Sequence, residues 1–392
     1  MEAVYIVEGA RTAFGTFGGA FKDVSDIDLG VTASREAMKR SHISPEQIDH
    51  VFFGNVIHTN QSSSYLARYI GLKSGVPHGA PALSVNRLCG SGLQAIVSGA
   101  QQIMLGDGRT ALVGGAENMS QSPHVLRDTR FGSKLQAPKI DDMLWATLTD
   151  HHAGCGMGVT AENLAEKYNI SREEQDEFSV RSHELAANAR ENGRFDQEIV
   201  PVSLKVRKKE VVVDKDEHIK GDTTVEKLGK LNAAFKKEGT VTAGNASGIN
   251  DGAAAVTLAS ETFIKERNIK PLAKIVSWGI AGVDPAYMGI GPVPASKIAL
   301  QKASLTIQDI DLIEINEAFA AQYLAVEKEL GLDRQKANVN GGAIALGHPV
   351  GASGARIVYS LAKELKLQNK KYGLASLCIG GGQGISLIIE SI

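Results

Sequence analysis

The sequence predicts an α/β protein built from two similar halves with a third segment inserted between them. Short runs rich in Val and Ile alternate with helical patterns, two distant stretches repeat each other, and the stretch between them is more polar. A chain of 392 residues also exceeds one average domain. Its 42 glycines against 11 prolines indicate many tight turns and close backbone approaches.

The apolar runs are predicted strands, and the amphipathic stretches are predicted helices. In the predicted helix Leu93–Leu105, apolar side chains recur at the spacing of one helical face. The predicted strands are Val4–Val7, Val51–Phe53, Ala82–Val85, Ala111–Val113, Ile275–Ser277, Leu312–Ile315, Leu374–Ile379 and Ile385–Ile389.

The two halves are related by a displacement of 262 residues (299 minus 37). One register maintained over about 80 residues is hard to produce by chance. Duplication is therefore preferred to two unrelated halves with a similar order of helices and strands. The matched pairs are Ala37–Asp49 with Ala299–Asp311, Ser91-Gly92 with Ser353-Gly354, and Leu112 with Leu374.

The inserted segment differs in composition from both halves. It contains a polar helical pattern, Thr160–Asn192, and a charged stretch, Lys205–Lys237, after which Thr240–Ser260 returns to small and apolar residues. We therefore expect an N-terminal half over residues 1–118, completed by about 249–270, an inserted lobe over 119–248, and a C-terminal half over 271–392.

The composition of the chain argues against several classes of function. A net charge of −2 argues against a general nucleic-acid binder, although a local basic pocket for a phosphorylated ligand remains open. Three cysteines do not make a disulfide framework and indicate a reducing compartment. The N-terminal residues lack a signal-peptide pattern, no apolar run approaches membrane-spanning length, and the last residues are not a Ser-Lys-Leu address. We expect a cytoplasmic protein without membrane partners.

Two cysteines lie in glycine-rich turns. Cys89, in Asn86-Arg-Leu-Cys-Gly-Ser-Gly92, stands between a predicted strand and a predicted helix. The N–H groups and dipole of a helix start are expected to lower its pKa and favour the thiolate, although a buried structural cysteine is the common alternative. Cys378 is followed by Gly380-Gly-Gly, so its thiol could exchange a proton beside free backbone N–H groups, or the glycines could form only a hairpin turn.

A histidine and an asparagine complete the candidate set. His348 is framed by glycines at a predicted helix start, which favours a base that activates a thiol over a structural histidine. Asn316 ends a strand and opens a helix, where a helix N-cap is the common alternative.

Other site types are weakly supported. The glycine-rich loops fit neither the Gly-x-x-x-x-Gly-Lys-Ser/Thr phosphate loop nor the Gly-x-Gly-x-x-Gly dinucleotide site. His151, His152 and Cys155 offer three possible metal ligands without a fourth, so no metal site is predicted.

Together these segments resemble the thiolase family along essentially the whole chain. The segment around Cys89 resembles the nucleophile block, Asn316-Glu-Ala-Phe319 the asparagine block, Gly347-His348-Pro349 the histidine block, and Cys378-Ile-Gly380 the second-cysteine block. Gly244-Asn-Ala-Ser-Gly-Ile-Asn-Asp251 adds a fifth.

The resemblance implies acetyl-CoA C-acetyltransferase chemistry, the reversible Claisen condensation of two acetyl-CoA to acetoacetyl-CoA and CoA. Cys89 would become acetylated with His348 as its base, and Cys378 would exchange the proton of the acetyl methyl group. One oxyanion hole would consist of His348 and a water held by Asn316. The other would consist of the backbone N–H groups of Cys89 and Gly380.

The resemblance also implies a five-layered αβαβα arrangement, a dimer or tetramer, and no permanently bound cofactor. Coenzyme A and acetyl-CoA would be substrates, and the coenzyme would lie across the inserted lobe. The residues implied in its binding or near the acyl group are Leu148, Met157, Lys220, Phe235, Ala243, Ala246, Ser247, Met288, Ala318 and Phe319.

Two positions depart from the family pattern. Gly156 stands where many relatives have a histidine, which bears on substrate preference, and Lys220 stands where an arginine often contacts coenzyme A. The alternatives are a degradative 3-ketoacyl-CoA thiolase of broader chain length and a thiolase-like binding protein without turnover. A ketoacyl synthase is disfavoured, because such an enzyme would not have Cys378 with its glycines.

Overall fold

The computed structural model describes residues 2–132, 135, 137–207 and 209–392. Its helices are α1 Asp26–Ser41, α2 Leu66–Lys73, α3 Ser91–Leu105, α4 Met143–Thr147, α5 Met157–Lys167, α6 Arg172–Glu191, α7 Val225–Gly229, α8 Glu261–Arg267, α9 Pro292–Ala303, α10 Ala320–Leu330, α11 Ala343–Leu346 and α12 Ser353–Leu367. Its strands are β1 Val4–Arg11, β2 Gly15–Thr16, β3 His50–Gly54, β4 Ala82–Val85, β5 Thr110–Asn118, β6 His124–Leu126, β7 Ile140–Asp142, β8 Thr149–Asp150, β9 Cys155–Gly156, β10 Val202–Val206, β11 Lys209–Val213, β12 Asn250–Ser260, β13 Ala273–Gly282, β14 Leu312–Ile315, β15 Tyr372–Ile379 and β16 Gln383–Ser391. None of the helices within the described ranges is long and apolar enough to cross a membrane.

A mixed sheet joins the two halves of the protein. Its strand order is β14-β15-β16-β13-β1-β12-β5-β3-β4, with β2 paired to β12. Strands β3 and β14 run parallel to their neighbours, whereas the inner strands are antiparallel. The halves meet where β1 pairs with β13 through only two residue pairs, Tyr5 with Lys274 and Ile6 with Ala273. All eight predicted strands are present.

Three apolar clusters lie between the layers of the fold. The first buries α1 and α2 against one face of the β1, β3 and β5 side of the sheet. The second buries α3 and α12 between the inner faces of both halves. The third covers the outer face of the C-terminal half with α9 and α10. Helix, sheet, helix, sheet and helix therefore follow one another, which confirms the predicted αβαβα arrangement.

The displacement of 262 residues is confirmed at the level of element boundaries. Helix α3 begins at Ser91 and α12 at Ser353, and β5 begins at Thr110 and β15 at Tyr372. Even side-chain contacts repeat. Asp49 Oδ2 accepts hydrogen bonds from the backbone of residues 109 and 110, and Asp311 Oδ2 accepts them from residues 371 and 372.

Helices α3 and α12 lie against each other at two equivalent glycines. A Cβ on Gly92 would lie 2.7 Å from the backbone nitrogen of Ala355, and a Cβ on Gly354 would overlap the backbone nitrogen of Leu93. The two contacts are interchanged by the displacement of 262 residues, as expected for halves related by a two-fold rotation. Only glycine permits this approach.

The described part of residues 119–248 contains the helices α4 to α7, of which α6 has 20 residues, and three two-stranded hairpins. The single polar helix predicted over Thr160–Asn192 is wrong, because α5 and α6 are separate. Asn169 adopts a left-handed conformation with φ 49°. Ser171 then caps α6 in a capping box with Glu174, which begins a new helix.

A buried ion cluster ties this segment to the sheet. Arg11 of β1 is fully buried and donates to Asp216 Oδ1 at 2.7 Å and to Glu198 Oε2 at 3.0 Å. Glu198 also faces Arg194, which in turn contacts Glu364 of α12. Charges buried at this depth are stable only when they remain paired.

Candidate active site

Cys89 lies in the turn between β4 and α3, directly before the helix N-cap Gly90. The preceding residue, Leu88, has φ 46°, an uncommon left-handed conformation for a residue with a side chain. The Asn86 side chain holds this turn by accepting a hydrogen bond from the Leu88 N–H at 2.9 Å. Strain of this kind is typical of functional sites.

The thiol of Cys89 is neutral at rest. Burial raises its pKa to about 11, although the backbone N–H groups of Gly380 and of Cys89 itself donate to the sulfur and oppose the rise. The sequence-based expectation of a lowered pKa is therefore wrong. The helix start supplies N–H donors as expected, but the loss of water around the thiol outweighs them.

Cys378 lies near the end of β15 and is fully buried. Burial raises its pKa above the usual range, and the charge of Cys89 acts in the same direction, so the two thiols are close enough to interact. A Cβ on Gly90 would lie 2.5 Å from the Ile379 side chain, so the nucleophile turn sits directly on this strand end. The structure thus brings both cysteines and Gly380 together.

His348 lies between α11 and α12 and is 5% exposed. Burial, together with the nearby Arg356 charge, lowers its pKa to about 3, so the imidazole is neutral at ordinary pH. Its Nδ1 lies 2.6 Å from Ser353 Oγ, and its Nε2 lies 3.3 Å from Asn316 Nδ2. A neutral, buried imidazole is suited to accept a proton.

Asn316 belongs to the same site and does not cap a helix. Helix α10 begins four residues later, with Phe319 at its N-cap position. The Asn316 N–H donates to Ser376 O at 2.9 Å, which places it beside the strand that carries Cys378. The asparagine, the histidine and the two cysteines are therefore linked through neighbouring contacts.

Most of the residues expected to bind coenzyme A or the acyl group form two groups near this site. In the first, the Met157 N–H donates to Leu148 O at 2.9 Å, and Met157 Sδ would lie 3.3 Å from a Cβ on Gly380. In the second, the Ser247 N–H donates to Ala318 O at 2.9 Å. The second group also contains Ala246 paired with Phe319, Phe235 in edge-to-face contact with Phe319, and Met288 buried beside them.

Two of the expected residues lie apart from these groups. Lys220 and Ala243 are exposed. The backbone of Lys220 contacts His183 and Thr223, and within the described residues no hydrogen bond or ion pair joins it to the rest of the expected set. A position at the surface suits contact with a distal part of a long ligand.

A cavity of about 300 Å³ opens beside the two cysteines. Gly156 directly precedes Met157, one of the lining residues, and an added Cβ at Gly156 would meet only Leu148 O at 3.6 Å, so a side chain has room there. The lining residues are Val56, Asn86, Leu88, Ala146, Thr147, Thr149, Asp150, His151, Met157, Gly380 and Gly381.

Two polar partners of His348 were not predicted. Ser353 accepts from or donates to Nδ1, and Asn250 Oδ1 accepts from the His348 N–H at 2.9 Å. Ser353 follows His348 by five residues and was noted only as a helix start. Asn250 is distant in sequence, so only the register of β12 brings it to the histidine.

This arrangement can perform acyl transfer through a covalent intermediate. It combines a thiol nucleophile, a neutral base, a second thiol and backbone N–H groups that can donate to a negative oxygen. Each of these groups lies on a turn at the end of a strand or beside a helix, so their spacing is set by the two halves of the fold.

The comparisons with known proteins agree with this chemistry. Residues 4–262 match the family model of the thiolase N-terminal domain, and residues 269–391 match that of the thiolase C-terminal domain. The chain is 51% identical over 392 residues to the mitochondrial 3-ketoacyl-CoA thiolase of Bos taurus, covering 100% of this chain and 99% of the relative. It is 51% identical over 394 residues to the acetyl-CoA acetyltransferase of Syntrophomonas wolfei, covering 99% of each.

A solved structure gives the same result. The human mitochondrial 3-ketoacyl-CoA thiolase in complex with CoA superposes with a TM-score of 0.97 at 50% identity, covering 100% of this chain and 98% of that one. Sequence and fold agree over the full length of the chain. The protein therefore belongs to the thiolase family and is an acyltransferase.

Proposed function

We propose that this protein is an acetyl-CoA C-acetyltransferase, which condenses two acetyl-CoA molecules to acetoacetyl-CoA and CoA and also runs the reverse thiolysis. The observation that carries the proposal is the grouping of Cys89 and Cys378 with the neutral His348 and Asn316. One thiol can carry the acetyl group while the other removes a proton from the second acetyl-CoA.

In the first step, Cys89 attacks the thioester carbonyl of acetyl-CoA. Because burial keeps the thiol neutral, its proton must leave as the sulfur attacks, and neutral His348 is the base that accepts it. The bond between the acetyl carbon and the CoA sulfur breaks, and the departing CoA thiolate takes a proton from Cys378, which leaves Cys378 as a thiolate and His348 protonated. The product is an acetyl group on Cys89 and free CoA.

The backbone N–H groups of Cys89 and Gly380 assist this step. Both donate to the Cys89 sulfur, so they already point into the space where the negative oxygen would form. They are fixed by the helix start and by the β15–β16 turn. They therefore need no rearrangement when charge develops.

In the second step, the thiolate of Cys378 removes a methyl proton from the second acetyl-CoA. The resulting carbanion attacks the acetyl carbon, the carbon–carbon bond forms, and the Cys89 sulfur leaves and regains its proton from His348. Asn316 Nδ2 and the protonated Nε2 of His348 lie together, so they can donate to the enolate oxygen of the second substrate. Thiolysis follows the same steps in reverse.

Coenzyme A is proposed to lie along the two residue groups described above. The backbone of Ala246 and Ser247 pairs with the backbone of Ala318 and Phe319. The coenzyme would lie along this paired backbone and extend toward the cysteines. Lys220 would meet the phosphate end of the coenzyme at the surface. The relative whose structure contains CoA supports this substrate class.

A second candidate is a 3-ketoacyl-CoA thiolase of broader chain length. It is favoured by the cavity of about 300 Å³ beside the cysteines and by the room left at Gly156. An acetyl group would not fill such a space. The bovine relative with 51% identity is named for this activity.

The decisive experiment is thiolysis by free CoA of acetoacetyl-CoA and of 3-ketooctanoyl-CoA, each with the wild-type protein and with Cys89→Ala and Cys155→Ala. We expect rapid loss of acetoacetyl-CoA, abolished in Cys89→Ala and retained in Cys155→Ala, because Cys155 lies on the β8–β9 hairpin away from the paired thiols. Mass spectrometry after incubation with acetyl-CoA should locate the acetyl group on Cys89.

Other outcomes have defined meanings. Preference for the longer substrate would support the second candidate and would indicate that the space at Gly156 admits the longer acyl chain. No turnover of either substrate, with CoA still bound, would contradict both proposals and favour a thiolase-like binding protein.

Assembly into dimers or tetramers is proposed as well. Three large apolar side chains on the β6–β7 hairpin and α4, Leu126, Ile140 and Trp145, are more than half exposed. Exposed apolar side chains grouped in this way are typical of protein interfaces. Light scattering of the purified protein measures the mass directly, and a monomer would contradict the proposal.

A further inference from the structure

Glu117 is a buried carboxylate that no step above uses. It lies at the end of β5, fully buried, and its Oε2 accepts hydrogen bonds from the Val56 N–H at 2.9 Å and the Gly351 N–H at 3.0 Å. Its Oε1 accepts from the Ile57 N–H at 3.0 Å and from Asn55 Nδ2 at 3.2 Å. Among the described residues it has no ion-pair partner. It is therefore an acceptor for four N–H donors.

One group of donors leads to the nucleophile. The Val56 N–H donates to Glu117, and the Val56 carbonyl oxygen accepts a hydrogen bond from Asn86 Nδ2 at 3.2 Å. The Oδ1 of the same Asn86 accepts from the Leu88 N–H at 2.9 Å. Leu88 is the residue with φ 46° that immediately precedes Cys89. A relay of three hydrogen bonds therefore connects Glu117 to the strained turn.

The other donor leads to the base. Gly351 lies three residues after His348 in the loop before α12. A Cβ on Gly351 would lie 2.6 Å from Glu117 Oε2, and a Cβ on Gly115 would overlap the Gly351 carbonyl oxygen. The loop therefore rests directly on β5 with no space for movement. Its distance from the nucleophile turn is set by this contact.

We propose that Glu117 is a positioning residue, whose single carboxylate binds the turn that carries Cys89 and the loop that carries His348 and so fixes the placement of nucleophile and base relative to each other. The four contacts are all donors, so a side chain with only acceptor atoms is required. Glutamine has the same length and shape, but its NH₂ group would face backbone N–H groups.

The charge of Glu117 adds a second, opposite effect at the nucleophile. After burial, the negative charge of Glu117 is a further cause of the raised pKa of Cys89. Glu117→Gln removes this charge, so the Cys89 thiol ionises more readily. The variant should therefore react faster with iodoacetamide at Cys89 while turning over more slowly, and an unchanged labelling rate at the fully buried Cys378 separates this effect from general loosening of the active site.

The experiment measures kcat and KM for thiolysis in Glu117→Gln, Asn86→Ala, the double variant and a control, Asp311→Asn. Asp311 is also a carboxylate that accepts from two backbone N–H groups, but it directly precedes β14 and binds the start of β15, at the other end of that strand from Cys378. Burial raises the pKa of Glu117 to about 8 against the pull of its donors. Assays at about pH 9 therefore compare the ionised carboxylate with the amide.

We expect kcat to fall about tenfold to a hundredfold in Glu117→Gln with KM little changed, because small misplacements of reacting groups have effects of this size. Asn86→Ala should lose less. The double variant should lose less than the product of the single losses, since both act through one relay. Asp311→Asn should match the wild-type kcat.

Three results would overturn the inference: a kcat for Glu117→Gln within about threefold of wild type, a loss that multiplies fully with that of Asn86→Ala, or an equal loss in Asp311→Asn. If Glu117→Gln does not fold, the Asn86→Ala variant alone tests the inference. An unchanged kcat in that variant would contradict the relay of hydrogen bonds. The inference rests on the proposed function only through kcat. Iodoacetamide labelling of Cys89 needs no turnover, so an unaltered labelling rate in Glu117→Gln would contradict the role of Glu117 even if the proposed activity were wrong.

Discussion

The imidazole of His348 is oriented by the hydroxyl of Ser353, whose oxygen lies 2.6 Å from Nδ1. The same hydroxyl donates its one proton to Pro349 O at 2.9 Å, so its oxygen must accept a proton from Nδ1–H. The other ring nitrogen, Nε2, therefore carries a free lone pair toward Asn316. The tautomer required of a base is thus set by a serine in the first turn of α12.

Removing this hydroxyl should reduce turnover without unfolding the protein. In Ser353→Ala, the Nδ1 proton loses its acceptor and the imidazole is free to adopt the other tautomer. We expect kcat for thiolysis to fall about tenfold to a hundredfold. Ser41→Ala is the matched control, since Ser41 is also buried and donates to a backbone oxygen, Met38 O at 2.9 Å. Equal kcat values in the two variants would show that Ser353 does not orient the base.

The reactivity of Cys89 should depend steeply on pH. Because the thiolate is the reactive form and the pKa lies at about 11, alkylation by iodoacetamide should become about tenfold faster per pH unit between pH 7 and 10. His348, with a pKa of about 3, stays neutral throughout and adds no inflection. Peptide mass spectrometry separates Cys89 from the partly exposed Cys155. A labelling rate that is already constant below pH 8 would instead indicate a thiolate–imidazolium pair.

A side chain at position 156 should shorten the range of accepted substrates. Gly156→His would project into the cavity of about 300 Å³, and the backbone there, with φ −75°, accepts any residue. We expect kcat/KM for 3-ketooctanoyl-CoA to fall about tenfold more than for acetoacetyl-CoA. Gly79→His is the control, because a Cβ there meets nothing within 4 Å and Gly79 does not adjoin a residue that lines the cavity. An equal change for both substrates would mean that the acyl chain does not enter this space.

The buried Arg11 should be important for stability. Arg11→Met would leave Asp216 without its cation and Glu198 with Arg194 alone, and breaking a buried pair reduces the free energy of unfolding by about 3–5 kcal/mol. Lys73→Met, which breaks the exposed pair with Asp28, should change it by less than about 1 kcal/mol. Urea denaturation followed by circular dichroism measures both. Similar midpoints for the two variants would contradict the assignment.

The same cluster predicts acid sensitivity. Burial alone would raise the pKa of Glu198, but the charges of Arg194 and Arg11 hold it at about 2, below the usual 4.5. Because the folded pKa is the lower one, the contribution of Glu198 is complete above about pH 4.5 and is lost as the pH falls toward 2. Thermal unfolding between pH 6 and 3 should show a decline that is absent in Glu198→Gln.

The strands and the repeat could be predicted because burial on both faces leaves a direct mark on sequence. β5 and β15 are buried at nearly every position, so they appear as continuous apolar runs in the same register. Cys89, Cys378 and His348 could be identified because each lies in a glycine-rich turn, and Asn316 because it follows a predicted strand. The break between α5 and α6 was missed because Asn169 adopts a left-handed conformation within a continuous polar pattern.

The protonation states and supporting contacts could not be predicted from local sequence. The pKa of Cys89 depends on how much water surrounds the sulfur, and that is decided by the packing of Ile379, Gly380 and the sheet around the turn. Asn250 reaches His348, and Glu117 reaches Gly351, only because strands distant in sequence pair in a specific register. No pattern of neighbouring residues carries this information.

The close approach of Gly92 and Gly354 means that the two copies of the repeat cannot change independently. Each helix occupies the space that a larger residue on its counterpart would need, so a substitution accepted in an isolated copy would be rejected in the joined protein. The two halves, which derive from one ancestral unit, must therefore remain matched to each other within one chain. Either half expressed alone would expose to water the glycine surface of its helix, which the helix of the other half now covers.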